Sequence, residues 1–380
     1  MINRATPGNG ASGGNGSQLS YNYAQQLADP GVWAELPKLL LSPPSPLKIR
    51  PQLDVHQWRW GSPFLAACNA ATSRSTTVAL LKLAAGSRQG FDAMLFKENL
   101  AVDFASTAIL VLFSSAQSLA AAQKQMLLQR ELGSFQEAVS AKACIEIEPA
   151  LINHQISIVE AIYTPNERAA HCHKTCDGLM ALLAERGVRF MMDTPIEHIM
   201  TERDSVTAIG TLQGEIQADQ YVIALGAAFA PMARQIDVDL PIYPLKGFSI
   251  TVDVNEQPGC ATHSAPFVGV TDSTRKVVFD RIAPRLRVAG KAKLAGYGVH
   301  GAPRQIESLK ASTQALFQHC SQFAALHPWA GLRPESTTGL PIIGKHHQGP
   351  KNMLFDVGHG ALGFTLSFGL AARVAAMVEK

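Results

Sequence analysis

The sequence predicts an α/β protein with a second, β-rich region, and three observations carry that expectation. Ala- and Leu-rich helical stretches alternate with short runs of β-branched and aromatic residues. One such run, Tyr221 to Leu225, leads straight into the small-residue turn Gly226-Ala227-Ala228. From Leu240 to Gly296 the chain reads as successive strands, beginning "LPIYPLKGFSITVDV". At 380 residues, 47% hydrophobic and 17% charged, the chain suits a soluble globular enzyme with two domains and a large core.

The bulk properties exclude several classes. A net charge of +3 is too small to argue for nucleic acid or an anionic membrane surface. The six cysteines (Cys68, Cys144, Cys172, Cys176, Cys260 and Cys320) show no paired framework, which favours a reducing compartment and hence the cytoplasm. The longest apolar stretch, Ala101 to Phe113, is interrupted by Asp103 and is too short to span a bilayer.

The elements follow in order. The glycine-rich "GNGASGGNGSQLSY" (Gly8 to Tyr21) is a turn suited to holding a phosphate. Four prolines between Pro43 and Pro51 make a stiff connector. Trp58 to Gly86 reads as helix, and Lys97 to Phe113 as strand material ending in the buried strand "AILVLF". Ser115 to Leu132 is a helix that Gly133 closes, and Thr175 to Arg186 is one that Gly187 closes. "VRFMMDTPIEHI" reads as a strand, followed by a meander through Ser205–Ile209, Thr211–Ile216 and Tyr221–Leu225. Strands "KVVFDRI" and "RLRVAGKAKLAG" precede a helix from Arg304 to His319. From Trp329 the tail returns to strand, glycine turn and helix.

Three motifs suggest chemistry. Small residues at Gly226 and Ala227 let a backbone approach a ligand, although a tight turn in any α/β protein reads the same way. "GLRPESTTGLPIIG" sets Arg333 between a flexible and a rigid residue, and a guanidinium clamps carboxylates bidentately. The competing reading is a surface loop arginine. "DVGHGALGFTLSFG" places Gly358, His359, Gly360, Leu362 and Gly363 at the start of a helix, where N–H groups favour negative charge; His359 also reads as a turn histidine. "HCHKTC" (His171 to Cys176) hints at a metal, but no second cluster at metal-site spacing follows, so no metal is expected.

Together, "GNGASGGNGSQLSY", "LPIYPLKGFSITV" with "RLRVAG", and "WAGLRPESTTGLPIIG" with "GHGALGFTLSFG" resemble the FAD-dependent D-amino-acid dehydrogenases of the D-amino-acid oxidase and glycine oxidase superfamily. The resemblance implies a discontinuous, doubly wound FAD-binding domain (1–57, 141–240 and 326–380) and a β-rich substrate domain (58–140 and 241–325). It implies oxidative deamination of a D-amino acid by hydride transfer to flavin. Arg333 would hold the substrate carboxylate, with Tyr243 and Phe248 lining the pocket. Ser12, Gly13, Asn15 and Gly16 would line the pyrophosphate and flavin, joined by the turn at Gly226 and Ala227. Lys246 and Gly247 would lie near the flavin, with Gly358 to Gly363 at its pyrimidine end. The electron acceptor is left open between a quinone and a respiratory chain, as is peripheral attachment at the inner membrane.

The sequence departs from the family's layout in places. The family's first βα unit, with its G-x-G-x-x-G turn, is expected to be absent, and Asn3 stands where the family's ribose-binding acid falls. On that expectation the grip on FAD weakens, and a truncated remnant or a partner-dependent scaffold subunit is the alternative to a working enzyme. Ala169-Ala170 replaces the family's Gly-Asp pair, and Lys293 stands where an acid is usual.

Overall fold

The computed structural model describes residues 1–24, 26–41, 47–255, 264–299 and 302–378. The connector prolines Pro43, Pro44 and Pro46, and Cys260, lie outside the described residues.

A ten-stranded mixed sheet dominates. Its central strand, Ile242–Asp253, pairs antiparallel with Arg285–Leu294 on one side and Leu326–Ser336 on the other. Only its last residue escapes burial, so both sheet faces must be covered. Phe248, Ile250 and Val252 point to one face, where helix Pro303–Leu316 packs Ile306, Leu309 and Leu316 against them. Tyr243 and Leu245 point to the other, under Trp60 and Phe64 of helix Val55–Ala67. Beyond Arg285–Leu294 the sheet continues through Val277–Ile282, Gly269–Asp272, Ala105–Phe113 and Glu160–Ala169. Glu160–Ala169 and Ala105–Phe113 thus pair across the boundary drawn at residue 141.

A smaller sheet contains Ile342–Gly344, Met353–Val357 and Tyr221–Ile223, the last two parallel. The meander forms a third sheet from Ile196–Glu202, Ser205–Thr211 and Gly214–Ile216. Helices Ala70–Glu98 and Gly363–Val378 pack together through Phe91, Phe364 and Phe368, whose rings meet edge to face. Among the described residues no helix is long and apolar enough to cross a membrane.

Three boundaries differ from expectation, each for a local reason. The helix does not stop at Gly86 but runs to Glu98, where Asn99 caps it in the left-handed conformation (φ 46°). Lys97 is therefore helical, and the strand begins at Ala105. Residues 188–195 form no continuous strand, because Asp193 (φ 51°) and Pro195 break it. The helix expected to reach His319 ends at Leu316.

Gly369 sits where the two long helices touch. A Cβ there would lie 2.5 Å from the Leu83 carbonyl oxygen and 3.0 Å from the Ser87 nitrogen. Both obstacles are backbone, so the helices must separate to admit it. Gly369→Ala is expected to lower stability by about 1–3 kcal/mol, read as a lower urea midpoint with an unchanged slope.

Candidate cofactor and substrate site

Strands Tyr221–Ile223 and Met353–Val357 run parallel and end on the same side of their sheet. Each passes into a glycine turn, with Gly226 at φ +57°, Gly358 at +79° and Gly360 at +55°. Side chains with a Cβ rarely adopt this left-handed backbone, so glycine is required by geometry. Ligands of open α/β sheets bind outside the carboxyl ends of parallel strands, where unpaired N–H groups face outward. Here both turns line one cavity of about 2170 Å³. That exceeds the roughly 300–1,000 Å³ of ordinary small-ligand pockets and leaves room for a dinucleotide. The N-terminal glycine turn forms another wall, its tight part wound as a 3-10 helix at Ala11–Gly14.

Strand Leu326–Ser336 forms the wall that holds an indole and a guanidinium. Its alternate residues Trp329, Gly331, Arg333 and Glu335 share one face. The Trp329 ring lies over Gly14 and Gly331, and a Cβ on either would overlap it. Gly247, on the neighbouring central strand, lies under Arg333. A Cβ there would come within 2.8 Å of Nε and 3.0 Å of Cζ. Three glycines from three segments therefore make room for one indole and one guanidinium.

Arg333 is half-buried and lines the cavity. Desolvation lowers its pKa from the ordinary arginine value, opposed by nearby Glu335. Among the described residues no hydrogen bond or ion pair engages its guanidinium, so its donors face the cavity unspent. Burial pushes the Glu335 carboxyl up to about 7, with Arg333 opposing the rise. His359 also lines the cavity, its Nε2 held 2.8 Å from Asp356 Oδ1.

Of the residues read from the sequence, Asn3, Ser12, Asn15, Gly16, Gly226, Ala227, Arg333, His359, Gly360, Leu362 and Gly363 line the cavity. Gly13 and Gly358 belong to the same turns but lie behind its surface; the Gly13 carbonyl accepts from Arg287 Nη1 at 3.0 Å. Gly247 is covered by Arg333. Tyr243 is not brought to the cavity. It is fully buried under Trp60, and its hydroxyl donates to Asp54 Oδ2 at 2.8 Å. Lys246 is buried and turns away from Gly247's face, and Phe248 joins the core under helix Pro303–Leu316.

Among the lining or adjoining residues not read as part of this site from the sequence, four carry polar or aromatic groups that matter here. Trp329 and Glu335 were legible only as two-residue steps from Arg333 along a strand. Tyr297 lines the cavity edge-on to Tyr243. Cys176 lines the cavity beside Cys172, and their mutual contact lowers the Cys176 thiol to about 7. Among the described residues no group of three or more His, Cys, Asp or Glu is placed to hold a metal.

Parallel strands opening into glycine turns around a large cavity, with a half-buried, unpaired arginine on its wall, are the layout of an α/β protein that binds a dinucleotide cofactor. The FAD dependent oxidoreductase (DAO) family model matches residues 1–377, and the chain belongs to that family. It is 40% identical over 381 residues to D-amino acid dehydrogenase 2 of Ralstonia nicotianae, covering 98% of this chain and 89% of the relative. D-amino acid dehydrogenase of Vibrio atlanticus is 32% identical, with 96% and 86% covered. Among solved structures, glycine oxidase from Geobacillus kaustophilus shares the fold at a TM-score of 0.74 and 17% identity, covering 100% of this chain and 87% of that one. The cofactor is therefore FAD, and the cavity fits it. Gly10 and Gly226 line the cavity with nothing within 4 Å of where a Cβ would sit, so a phosphate or ring can come close to the backbone there.

Glu335 makes folding stability depend on pH. Its folded pKa of about 7 lies above the ordinary 4.5, so the folded state keeps a proton that the unfolded chain releases. The cost is absent below the unfolded value, grows as pH rises from there to about 7, and then levels off. Glu335→Gln is expected to match wild type near pH 4 and to exceed it by about 3 kcal/mol at pH 8, measured by urea unfolding at both pH values.

Proposed function

We propose that this chain oxidises D-amino acids to imino acids, which water then converts to keto acids. When bound, FAD supplies the acceptor for the hydride leaving the substrate Cα. The chain's residues orient the amino acid and exclude water. Arg333 pairs with the substrate carboxylate, an interaction strengthened by the low dielectric of its surroundings. The single observation that carries this reading is the half-buried, unengaged Arg333 guanidinium on the wall of a cavity built at parallel strand ends.

The glycine turns at Gly8–Gly16, Gly226–Ala228 and Gly358–Gly363 hold the cofactor through backbone N–H groups. In this reading residues 1–57, 141–240 and 326–380 form the FAD-binding part, and 58–140 with 241–325 the substrate part. Electrons pass onward to a quinone or another respiratory-chain acceptor, with the protein attached peripherally at the inner membrane. The exposed Trp33, Leu41, Leu53 and Trp58 supply apolar surface suited to that attachment.

The test is anaerobic mixing of FAD-supplemented protein with D- and L-amino acids, followed by flavin absorbance. Bleaching by at least one D-amino acid, and not by its L-enantiomer, is expected; the absence of bleaching with every D-amino acid removes the proposal. Arg333→Ala is expected to raise KM about a hundredfold or more. Gly247→Ala, which displaces only the end of a flexible side chain, is expected to raise KM less and to leave the unfolding midpoint nearly unchanged.

A further inference from the structure

Arg333 and Glu335 form an unusual pair. They stand two residues apart on one strand face, Glu335 buried and Arg333 half-buried on the cavity wall. Each influences the other's ionisation, yet among the described residues no hydrogen bond or ion pair joins them. The Glu335 carboxyl lies against Gly360, with Oε2 2.6 Å and Oε1 3.1 Å from where a Cβ would sit. It is held there by its backbone. The Trp60 indole donates to the Glu335 carbonyl at 2.9 Å, and a β-bridge ties Glu335 to His359. Glu335 is thus fixed beneath the glycine turn, while Arg333 has a long side chain free to lean either way.

We propose that Glu335 is a positioning residue that competes, when ionised, with the substrate carboxylate for Arg333. This rests on the reading of Arg333 as the carboxylate anchor. A carboxylate at Glu335 draws the guanidinium toward the Gly360 turn. A protonated Glu335 leaves it to the cavity. Burial supports the switch by pushing the Glu335 carboxyl up to about 7, inside the working range. The other titratable groups around it are His359 with its partner Asp356 on the glycine turn, and Tyr243 opposite it on the central strand, engaged with Asp54. The device discriminates by charge. Binding any carboxylate at Arg333 becomes linked to proton uptake at Glu335, so affinity falls as pH rises through neutrality.

The experiment uses propionate, a carboxylate with no amine to titrate, and FAD-supplemented protein. Its dissociation constant is measured by calorimetry and by the flavin absorbance shift between pH 6 and pH 8.5. For wild type we expect a weakening on the order of tenfold or more as pH rises. Glu335→Gln should bind at the tight, low-pH value throughout, and His359→Gln should keep the pH dependence. In wild type labelled with ¹³C at glutamate Cδ, saturating propionate should move one carboxyl titration to higher pH, a readout that needs no variant. Binding that requires Arg333 but has the same pH profile in wild type and Glu335→Gln overturns this inference and leaves the anchor standing. A pH dependence lost in His359→Gln and kept in Glu335→Gln overturns it likewise. Wild-type binding that Arg333→Gln does not weaken at any pH overturns the anchor and this inference together.

Discussion

The site depends on one backbone ladder, the antiparallel pairing of Ile242–Asp253 with Leu326–Ser336. Its register sets Leu245 opposite Arg333, Gly247 opposite Gly331 and Tyr243 opposite Glu335. Side chains alternate along a strand, so Trp329, Arg333 and Glu335 face the same way, and the register sets which residues of the central strand they lie beside. A slip by one residue would take Arg333 away from Gly247, the glycine that makes room for its guanidinium. The central strand cannot slip readily, because its own apolar residues are pinned from both sides, by Ile306 and Leu309 on one face and Trp60 on the other.

Buried polar groups then fasten the remaining walls to that ladder. Glu167, completely buried in strand Glu160–Ala169, accepts from the backbone N–H groups of Tyr21 and Asn22 at 2.9 and 2.8 Å. Arg287, on the strand paired with the central one, donates to the Gly13 carbonyl. The Asn15 side chain accepts from the Ser17 N–H at 2.7 Å and closes the turn locally. Such bonds contribute more in the interior than at the surface, because breaking one leaves a desolvated group unpaired. The N-terminal glycine turn is therefore held in place by the sheet behind it and does not need a helix of its own to be ordered.

The same loss of water acts on the charged groups of the cavity wall. Arg333 is partly desolvated without gaining a protein partner, and in the proposed reading an incoming carboxylate supplies one. Glu335 is in the converse position, and a proton restores its neutrality. A buried carboxyl and a half-buried guanidinium, close enough to influence each other and not bonded, make the pair on which the proposed carboxylate site rests.

By itself the sequence determined the fold class, the glycine turns and the arginine. Those are local facts: a strand, a small-residue turn and a helix are encoded in consecutive residues such as Tyr221 to Ala228, and Arg333 lies in one short motif. It also determined two helix ends, through Gly133 and Gly187 at left-handed backbone positions. Where local signals were weak it erred, as at Lys97, where helix continued because nothing before Asn99 stops it. Only the tertiary structure decided which residues share the cavity. Tyr243 and Lys246 sit beside Gly247 in sequence, yet one is buried under Trp60 and the other turns to the opposite face. Trp329 and Glu335 enter the site with Arg333 through strand alternation, and Tyr297 through proximity in space. Strand faces and cross-strand neighbours are set by register between segments some eighty residues apart, such as Gly247 and Gly331. That register is a property of the packed sheet, because both faces must bury their apolar residues at once.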